Sequence, residues 1–412
     1  MNLFRYLFTA LLAASFVPFA LADNWPAWRG PTGQGHSAEK NLPLKWSATE
    51  NLKWKVPLAD AGNSTPIVWG DKIFLTQANK AGTVRSVLCM ARADGKILWQ
   101  SDVKYEAKEK NWNGISYCNA SATTDGERVV VSHGSAGMYC YDFAGKELWK
   151  RTDLGKWEHE FGNGASPVLY DNLAILWCGP NKAKGARNFL LAVDKATGKT
   201  VWEHEETEGS WATPVVANVG GKDQLVLGVG PSLKAYDPKT GSELWHCNGL
   251  QSFVYASALV GKDVAVGMSG YGKSSLAVKL GGTGDITKDR LWLHPKPANQ
   301  RVGSGVIVGD HVYIIDDNAL PRCYELATGK NLWENETRIS SAVTWGSMVH
   351  AEGRLYILMR NGDTVVLAAN PKYEILTTNS LGKGEQSNSS IAVSDGEIYI
   401  RTFKNLWCVG KK

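Results

Sequence analysis

The stretch Ala192-Val-Asp194-Lys-Ala-Thr197-Gly198-Lys199-Thr-Val-Trp202 decides the fold of this 412-residue chain. It joins an apolar run, a tight turn from Asp194 to Gly198 and a second run that ends in tryptophan, which is the pattern of a β-hairpin. The pattern returns almost unchanged over residues 235–245, and two further copies begin with cysteine, at Cys89–Trp99 and Cys323–Trp333. A hairpin that recurs at a regular spacing indicates a repeat architecture.

The marker tryptophans set the period of the repeat. They fall at positions 54, 99, 149, 202, 245, 292 and 333, with Ile375 in the eighth place. Each hairpin follows a small-residue start and two apolar runs, so one repeat contains four short strands. A period of roughly 40–50 residues with four antiparallel strands is typical of propeller blades. The sequence therefore predicts an all-β protein, a single eight-bladed β-propeller over residues 50–412. A count of seven or nine stays open because the seventh repeat is degenerate.

The two ends of the repeat region predict how the ring closes. The last repeat runs through three strands and stops after residues 405–409, without a fourth. The segment Asn51–Leu58 reads like a fourth strand that has no first three. We expect this N-terminal strand to complete the C-terminal blade, because that closure leaves no exposed sheet edge.

The pattern A-x-D-x-x-T-G-x-x-x-W resembles the tryptophan-docking repeat of the pyrroloquinoline-quinone-like propellers, the superfamily that contains quinoprotein alcohol dehydrogenases and the outer membrane assembly factor BamB. The resemblance covers nearly all of residues 50–412. It implies that each tryptophan is wedged between the first-position alanine and the turn glycine of the neighbouring blade. Fold similarity does not transfer function, so two functions have to be compared.

The resemblance implies either a scaffold or an enzyme. The favoured function is an exported, non-enzymatic binding or assembly propeller like BamB, whose partner is a protein or peptide, a small planar ligand or a glycan. The alternative is a quinoprotein dehydrogenase that oxidises an alcohol or sugar with pyrroloquinoline quinone and calcium. The sequence has neither the adjacent cysteine pair of those enzymes nor a C-x-x-C-H haem site, and it is much shorter than they are. We therefore expect no cofactor and assign no catalytic residue.

The residues before the ring predict export. Residues 1–22 resemble a signal peptide, with Arg5 ahead of an apolar run and Ala20-Leu-Ala22 as the cleavage site. The first cysteine is Cys89, so we expect neither a lipid anchor at the cleavage site nor a membrane span. A periplasmic or secreted protein, soluble after cleavage, is the prediction. Residues 23–49 form an N-terminal extension that should lie against the ring, because disordered tails seldom carry indoles such as those of Trp25 and Trp28.

Charge and short motifs exclude further functions. The formal net charge is +5 with lysine and arginine scattered through turns, so no nucleic-acid partner is predicted. Gly267–Ser274 satisfies the P-loop formula, but the residues after it continue a strand, which predicts a hairpin instead of a phosphate site. The triplets 158–160 and 203–205, each Glu-His-Glu, should alternate along strands and not converge on a metal.

The cysteines are predicted to be mainly packing residues. Four of the seven occupy the docking-alanine position: Cys89, Cys140, Cys323 and Cys408. Cysteine there behaves as a small buried hydrophobe and should remain a free thiol. Cys118, Cys178 and Cys247 are not placed by this argument, and one disulfide among them stays open.

The candidate binding site is defined by position. Loops that enter the innermost strand of each blade gather at one mouth of the central channel, whereas short polar turns should line the other mouth. The entry loops carry bulky aromatic residues and one arginine: Trp112, Tyr117, Trp157, Phe161, Trp211, Phe253, Tyr255, Arg301 and Trp345. Such side chains suit a planar ligand, a sugar or a peptide. Some of them could instead pack the face of the ring.

Overall fold

The computed structural model describes residues 24–107, 109, 117–271, 274–295, 302–333 and 337–411. Eight antiparallel sheets follow one another along the chain, which confirms the all-β eight-bladed propeller and settles the blade count. Two 3-10 turns, Gly134–Ala136 and Thr287–Asp289, are the helical elements in the described part of the chain. The predicted signal peptide lies outside the described residues.

Blades 1 to 4 are numbered in chain order, and their strands are given from the innermost to the outermost. Their bounds are Ile67–Trp69, Lys72–Ala78, Val84–Ala91 and Ile97–Lys104 in blade 1; Thr123–Thr124, Arg128–Ser132, Met138–Asp142 and Glu147–Arg151 in blade 2; Val168–Tyr170, Leu173–Cys178, Asn188–Asp194 and Thr200–Glu206 in blade 3; Val215–Val219, Lys222–Val229, Ser232–Tyr236 and Glu243–Asn248 in blade 4. A short parallel strand, Gly284–Asp285, adds to the outer edge of blade 4.

Blades 5 to 8 follow the same order. Their bounds are Leu259–Gly261, Val264–Met268, Ser275–Lys279 and Arg290–His294 in blade 5; Val306–Val308, His311–Ile315 and Pro321–Glu325 in blade 6; Val349–Ala351, Arg354–Leu358, Thr364–Ala368 and Ile375–Asn379 in blade 7; Ala392–Ser394, Glu397–Arg401, Asn405–Gly410 and Leu52–Pro57 in blade 8. In blade 6 the described part of the fourth strand is a bridge between Tyr324 and Asn331.

The N-terminal strand closes the ring as predicted. Leu52–Pro57 pairs antiparallel with Asn405–Gly410 and is the outer strand of blade 8. Trp54 lies opposite Cys408 in that pairing, in the same register as Trp202 opposite Ala192 in blade 3. The first strand of the propeller therefore supplies the fourth strand of its last blade.

Tryptophan docking fastens most blades to their neighbours. The Trp149 indole N–H of blade 2 donates to the Lys195 carbonyl in the hairpin of blade 3 at 2.9 Å. A Cβ on Gly198 would lie 2.7 Å from the same indole, and the φ of Gly198 is +71°, so glycine is required there. Equivalent indole bonds to the following blade are made from positions 54, 99, 202, 292 and 333. The docking that the resemblance implied is thus present.

Two positions depart from this docking pattern. The indole N–H of Trp245 donates to Gln224 inside its own blade at 2.9 Å, and the added strand Gly284–Asp285 pairs beside it. Ile375 takes the eighth place and is 44% exposed, in agreement with a degenerate seventh blade. Docking is therefore weakest between blades 4 and 5 and after blade 7.

The cysteines are buried free thiols. Cys89, Cys140 and Cys408 lie opposite docking tryptophans in the sheet register, as predicted. All seven cysteines are buried and none forms a disulfide, so the disulfide left open among Cys118, Cys178 and Cys247 does not form. Burial raises the pKa of the Cys89 and Cys140 thiols to about 12.

A belt of buried hydroxyl groups joins all eight inner strands. Each blade contributes one serine or threonine to this belt. At seven of the eight blade junctions, the backbone N–H of that residue donates to the hydroxyl of the equivalent residue in the next blade at 2.8–3.2 Å. At the remaining junction the Ser257 hydroxyl donates to the Thr213 carbonyl at 2.7 Å. The hydroxyl belt consists of one residue per blade, namely Thr65, Ser121, Ser166, Thr213, Ser257, Ser304, Ser347 and Ser390. Each member lies where an entry loop becomes an inner strand, so the belt fixes the relative positions of those loops.

Replacing one belt hydroxyl by a methyl group should therefore weaken the ring. Thr65→Val keeps the side-chain shape but leaves the backbone N–H of Ser390 without its acceptor, because that N–H donates to the Thr65 hydroxyl at 3.2 Å. A buried donor without a partner costs about 1–3 kcal/mol. We expect a lower thermal midpoint for Thr65→Val. Thr378→Val, on the exposed outer strand of blade 7, is the matched control, and equal midpoints for both variants would contradict the role of the belt.

Candidate functional site

One mouth of the channel is covered by the N-terminal strap, defined as residues 24–49. The strap enters beside blade 1, where the backbones of Trp25 and Val68 exchange two hydrogen bonds of 2.9 Å. It pairs again with blade 7, where the Ser37 N–H donates to the His350 carbonyl at 2.9 Å. Trp25 is 1% exposed. The extension therefore lies against the ring as predicted, at the mouth where short polar turns were expected.

Polar contacts hold the strap to those turns. The Glu39 carboxylate accepts the backbone N–H groups of Asp395 and Gly396 in blade 8, the latter at 2.8 Å. The Glu352 carboxylate of blade 7 accepts the N–H groups of Asn41 and Leu42 at 2.7 and 3.1 Å. Amides in turns of this kind lack sheet partners, so a carboxylate that accepts two of them is well placed.

Arg29 anchors the strap beneath the channel. Its side chain is 1% exposed, and Nη2 donates to the carbonyls of Gly305 in blade 6 and Gln34 in the strap. Burial lowers the pKa of the Arg29 guanidinium to about 9, and its Nε and Nη1 atoms have no hydrogen-bond partner among the described residues. The guanidinium also lies 5.9 Å from the ring centre of Trp28. Arg29 thus holds Trp28 at the bottom of the channel.

The opposite mouth opens into a cavity of about 180 Å³, which we call the cup. This volume is below the roughly 300–1,000 Å³ of sites for drug-sized ligands, so the cup accepts a group the size of one side chain or one ring. Its described lining comes from the strap and from all eight blades: Trp28, Asn63, Thr65, Asn119, Phe161, Gly164, Trp211, Tyr255, Tyr271, Val302, Trp345, Ser347, Asn388 and Ser390. None of these residues carries a formal charge at neutral pH.

One side of the cup is an aromatic wall, made by Phe161, Trp211, Phe253, Tyr255 and Tyr271 of blades 3 to 5. Neighbouring ring centres are 4.7–6.5 Å apart, which is the spacing of favourable aromatic pairs. The Trp211 indole N–H donates to the Gly162 carbonyl at 2.9 Å, so loops of two blades are joined within the wall. Trp211 is 9% exposed and therefore has a packing role as well.

Backbone strain supports a special role for the wall. Phe253 has a φ of +64°, in the left-handed region that bulky side chains rarely adopt. Its carbonyl accepts the Gly270 N–H at 2.7 Å, and the next residue, Val254, accepts the Trp211 N–H at 2.9 Å. These bonds hold the strained residue in place. Such strain concentrates at functional sites because only surrounding structure can maintain it.

Cations and a neutral histidine flank the wall. The Lys182 ammonium lies 5.0 Å above the Phe253 ring, and the Arg360 guanidinium lies 4.1 Å above the Trp345 ring across the mouth. His159 contacts Trp211 edge-on at 4.6 Å from behind. Burial, followed by the charge of Lys182, lowers the pKa of His159 to about 4, so this imidazole is neutral at pH 7.

The other side of the cup is an asparagine arc, formed by Asn388, Asn63 and Asn119 of blades 8, 1 and 2. The Asn388 amide donates to Asn63 at 3.4 Å, and the Asn63 amide donates to Asn119 at 2.7 Å. Asn119 donates in turn to the Asn163 carbonyl at 3.0 Å. A carboxamide has two N–H donors and two acceptor lone pairs. Asn63 and Asn119 therefore each keep one N–H and one lone pair for a ligand.

The structure gathers some of the predicted site residues and separates others. Phe161, Trp211, Tyr255 and Trp345 line the cup, and Phe253 packs behind them. Trp157 does not reach the cup: it is 3% exposed and its indole N–H donates to the Leu154 carbonyl, so it packs between blades 2 and 3. Tyr117 lies over Arg85 of blade 1. Trp112 and Arg301 lie outside the described residues.

Sequence reasoning missed Trp28, Tyr271 and the asparagine arc. Tyr271 belongs to the P-loop-like stretch, which is a hairpin between paired residues Met268 and Ser275 as predicted. The P-loop spacing of this stretch concerns nucleotide binding and gives no indication that Tyr271 lines a binding site. The arc does leave a sequence signal, because an asparagine stands two residues before the belt hydroxyl in blades 1, 2 and 8.

The two Glu-His-Glu triplets behave differently from each other. Residues 203–205 lie on the outer strand of blade 3, where both glutamates pair with Arg187 and His204 faces the other way, as predicted. Residues 158–160 lie in a loop, so the strand assumption was wrong there. A further cluster, His204, Glu206 and Glu243, contains the Lys234 ammonium at 2.9 and 3.1 Å from the two carboxylates. That ammonium already forms an ion pair with each carboxylate.

Comparison with known proteins places the chain in a family. The family profile described as outer membrane protein assembly factor BamB matches residues 81–335, more than half of the chain. The chain belongs to this BamB-like family. BamB of Burkholderia pseudomallei is 24% identical over 298 residues, which cover 69% of this chain and 68% of that protein.

Solved structures agree with the family and with the wider fold. BamB from Moraxella catarrhalis superposes with a TM-score of 0.59 at 15% identity, over 86% of this chain and 98% of that one. Quinohemoprotein alcohol dehydrogenase from Comamonas testosteroni gives a TM-score of 0.67 at 13% identity, over 95% and 81%. At these identities the likeness concerns the fold. Among the described residues of this BamB-like chain, no helix is long and apolar enough to cross a membrane.

The described lining of the cup does not fit the quinone cofactor of the dehydrogenase neighbours. Pyrroloquinoline quinone is a tricarboxylate and would need cationic partners, and calcium takes six to eight oxygen ligands that usually include carboxylates. The described residues of the cup include no lysine, arginine, aspartate or glutamate.

Strap docking should weaken in acid. The Nδ1 atoms of His36 and His350 lie 3.2 Å apart, and burial, the charge of His350 and that of Arg29 together lower the pKa of His36 to about 4. Since the unfolded chain binds the proton near pH 6.5 and the folded chain does not, stability is lost as pH falls from 6.5 towards 4, by up to roughly 3 kcal/mol. Thermal midpoints across this range should fall less steeply for His36→Asn than for the wild type.

The control for this experiment is His311→Asn, a histidine of blade 6 that contacts Tyr313 and not the strap. Its pH profile should follow the wild type. A His36→Asn profile as steep as that of the wild type would contradict the strap assignment.

Proposed function

We propose that this BamB-like propeller is an exported, non-enzymatic binding protein that takes part of a protein partner into the cup. The observation that carries the proposal is the composition of the cup: an aromatic wall faces an asparagine arc across an uncharged cavity with a closed floor. Such a cavity offers apolar contact and directional hydrogen bonds together, which is how binding sites combine affinity with orientation.

The chemistry of the described lining favours binding over catalysis. General acid–base or nucleophilic catalysis needs a group that can exchange a proton or attack, such as a histidine, carboxylate, lysine or cysteine. The described lining contains none of these four residue types, and its serine and threonine hydroxyls belong to the belt and accept backbone N–H groups. Its proton-exchanging groups are the phenols of Tyr255 and Tyr271, and burial raises the pKa of Tyr255 well above its usual value. His159 is close, but it packs behind Trp211.

A protein partner agrees with the relatives. The curated relative is an outer membrane assembly factor, and a periplasmic or secreted location follows from the same analogy and from the predicted signal peptide. Large aromatic side chains at a mouth flanked by Lys182 and Arg360 are the residue types that dominate protein interfaces.

Cross-linking from the mouth would test this function. Tyr271 is 46% exposed in the aromatic wall, whereas Ile375 is 44% exposed on the outer edge of blade 7. With p-benzoylphenylalanine at position 271 in the native host, irradiation should give a discrete protein adduct that mass spectrometry identifies. The same photoreactive residue at position 375 should not give this adduct. Matching adducts from both positions, or none from position 271, would count against the cup as the working surface.

A cofactor titration tests the dehydrogenase alternative. The reason for the test is the similarity in fold to a quinohemoprotein alcohol dehydrogenase. Because the described lining lacks the charged groups for a tricarboxylate and for calcium, protein incubated with both should emerge from gel filtration without quinone absorbance. Dye reduction with alcohols or sugars should be absent. Stoichiometric quinone uptake with substrate-dependent dye reduction would establish the enzyme instead.

A further inference from the structure

The floor of the cup is not made by the propeller. Trp28 lines the cavity from the strap, although it reaches the channel from the mouth opposite the aromatic wall. The ring alone would have an open channel at this point, because the described residues of the inner strands contribute small belt side chains such as Thr65, Ser347 and Ser390 to the lining. The cup is therefore complete only when the strap is docked.

Several contacts fix the position of Trp28. Trp25, three residues before Trp28, is hydrogen-bonded to the inner strand of blade 1. Arg29, directly after Trp28, is hydrogen-bonded to blade 6. The Pro26 carbonyl accepts the Thr124 N–H of blade 2 at 2.9 Å. The strap therefore holds Trp28 from three blades, and its half-buried ring has little freedom to leave the floor.

We propose that the cup is a pocket for one bulky uncharged side chain of an extended peptide, and that Trp28 is the ligand-contacting residue that sets its depth. The proposal rests on the function proposed above and names its ligand class. The cavity volume fits a single side chain. A charged side chain would lose its hydration without gaining an opposite charge among the described lining residues, which disfavours it.

The asparagine arc suits the backbone of such a peptide. A peptide unit offers one N–H donor and one C=O acceptor, and Asn63 and Asn119 each have one lone pair and one N–H left to match them. At the opposite mouth the ring already pairs with a backbone segment, since Trp25 of the strap forms one antiparallel bridge with Val68 in the inner strand of blade 1. That precedent favours a peptide over a sugar ring, which the same amides and aromatic rings could also bind.

Blocked pentapeptides of the form acetyl-Ser-Gly-X-Gly-Ser-amide test the proposal. Saturation-transfer NMR with the full mature chain should give signals for tryptophan or leucine at X and none for alanine, glutamate or lysine. Trp28→Ala should weaken binding of the tryptophan peptide about tenfold, the scale of one lost aromatic contact. Trp345→Ala, on the ring, should weaken it similarly. Leu44→Ala, on the strap outside the cup lining, should have no effect.

Hydrogen exchange at the Trp25 and Val68 amides separates a lost contact from a lost strap, because both amides are protected only while the strap is docked. Weaker binding by Trp28→Ala with unchanged protection supports the proposal. Unchanged binding by both Trp28→Ala and Trp345→Ala overturns it, and so does preference for the charged peptides. Signals from cellobiose or chitobiose without signals from any peptide would assign the cup to sugars. Cross-linking from position 271 can still succeed in each of those cases. Failure of the peptide proposal can therefore be distinguished from failure of the proposed binding function.

Discussion

The hydroxyl belt is the interaction on which the rest of the structure depends. Each of its members is buried, and each lies at the first residue of an inner strand or just before it, so the belt joins neighbouring blades where they are closest to the axis. A backbone N–H buried there without an acceptor would cost about 1–3 kcal/mol, and the belt supplies an acceptor to seven of them. Because serine and threonine supply the acceptor without bulk, the channel stays open wide enough for a side chain from either mouth.

Tryptophan docking acts at a larger radius and complements the belt. The belt crosses every blade junction, whereas described docking bonds to the following blade are absent at Trp245 and at Ile375. The junction after blade 4 instead has the added strand Gly284–Asp285, and the one after blade 7 is spanned by the strap, which contacts blade 7 through Glu352 and blade 8 through Glu39. The strap thus strengthens the ring where its repeat is degenerate, and this gives it a structural role beside the one in the cup.

The parts of the fold that could be predicted are those that the chain encodes locally. The hairpin pattern fixes Asp194, Gly198 and Trp202 within eleven residues, and alternation and turn chemistry are sufficient to place the four strands of a blade. The cup could be predicted only in part, because residues from opposite ends of the chain meet there. Asn388 bonds to Asn63, and Trp28 lines the same cavity, but these residues come together only when the ring closes. Trp157 illustrates the reverse error: its loop position suggested the mouth, but the Ser135 hydroxyl accepts its backbone N–H and draws the residue into the core.

A closed floor changes what a propeller channel can bind. In an open channel, water reaches a bound group from both ends. The aromatic wall is then the only part of the site that excludes water. Here Trp28 covers the lower side, so a side chain that enters from the mouth exchanges water for aromatic surface at the floor and along the aromatic wall, at about 25 cal/mol for each Å² of apolar area. Burial of the Arg29 guanidinium is unfavourable by itself, as its lowered pKa indicates. The cost of burying Arg29 is explained if the position of Trp28 is important. A floor that positions one ligand side chain would make that position important, whereas ring stability alone would not.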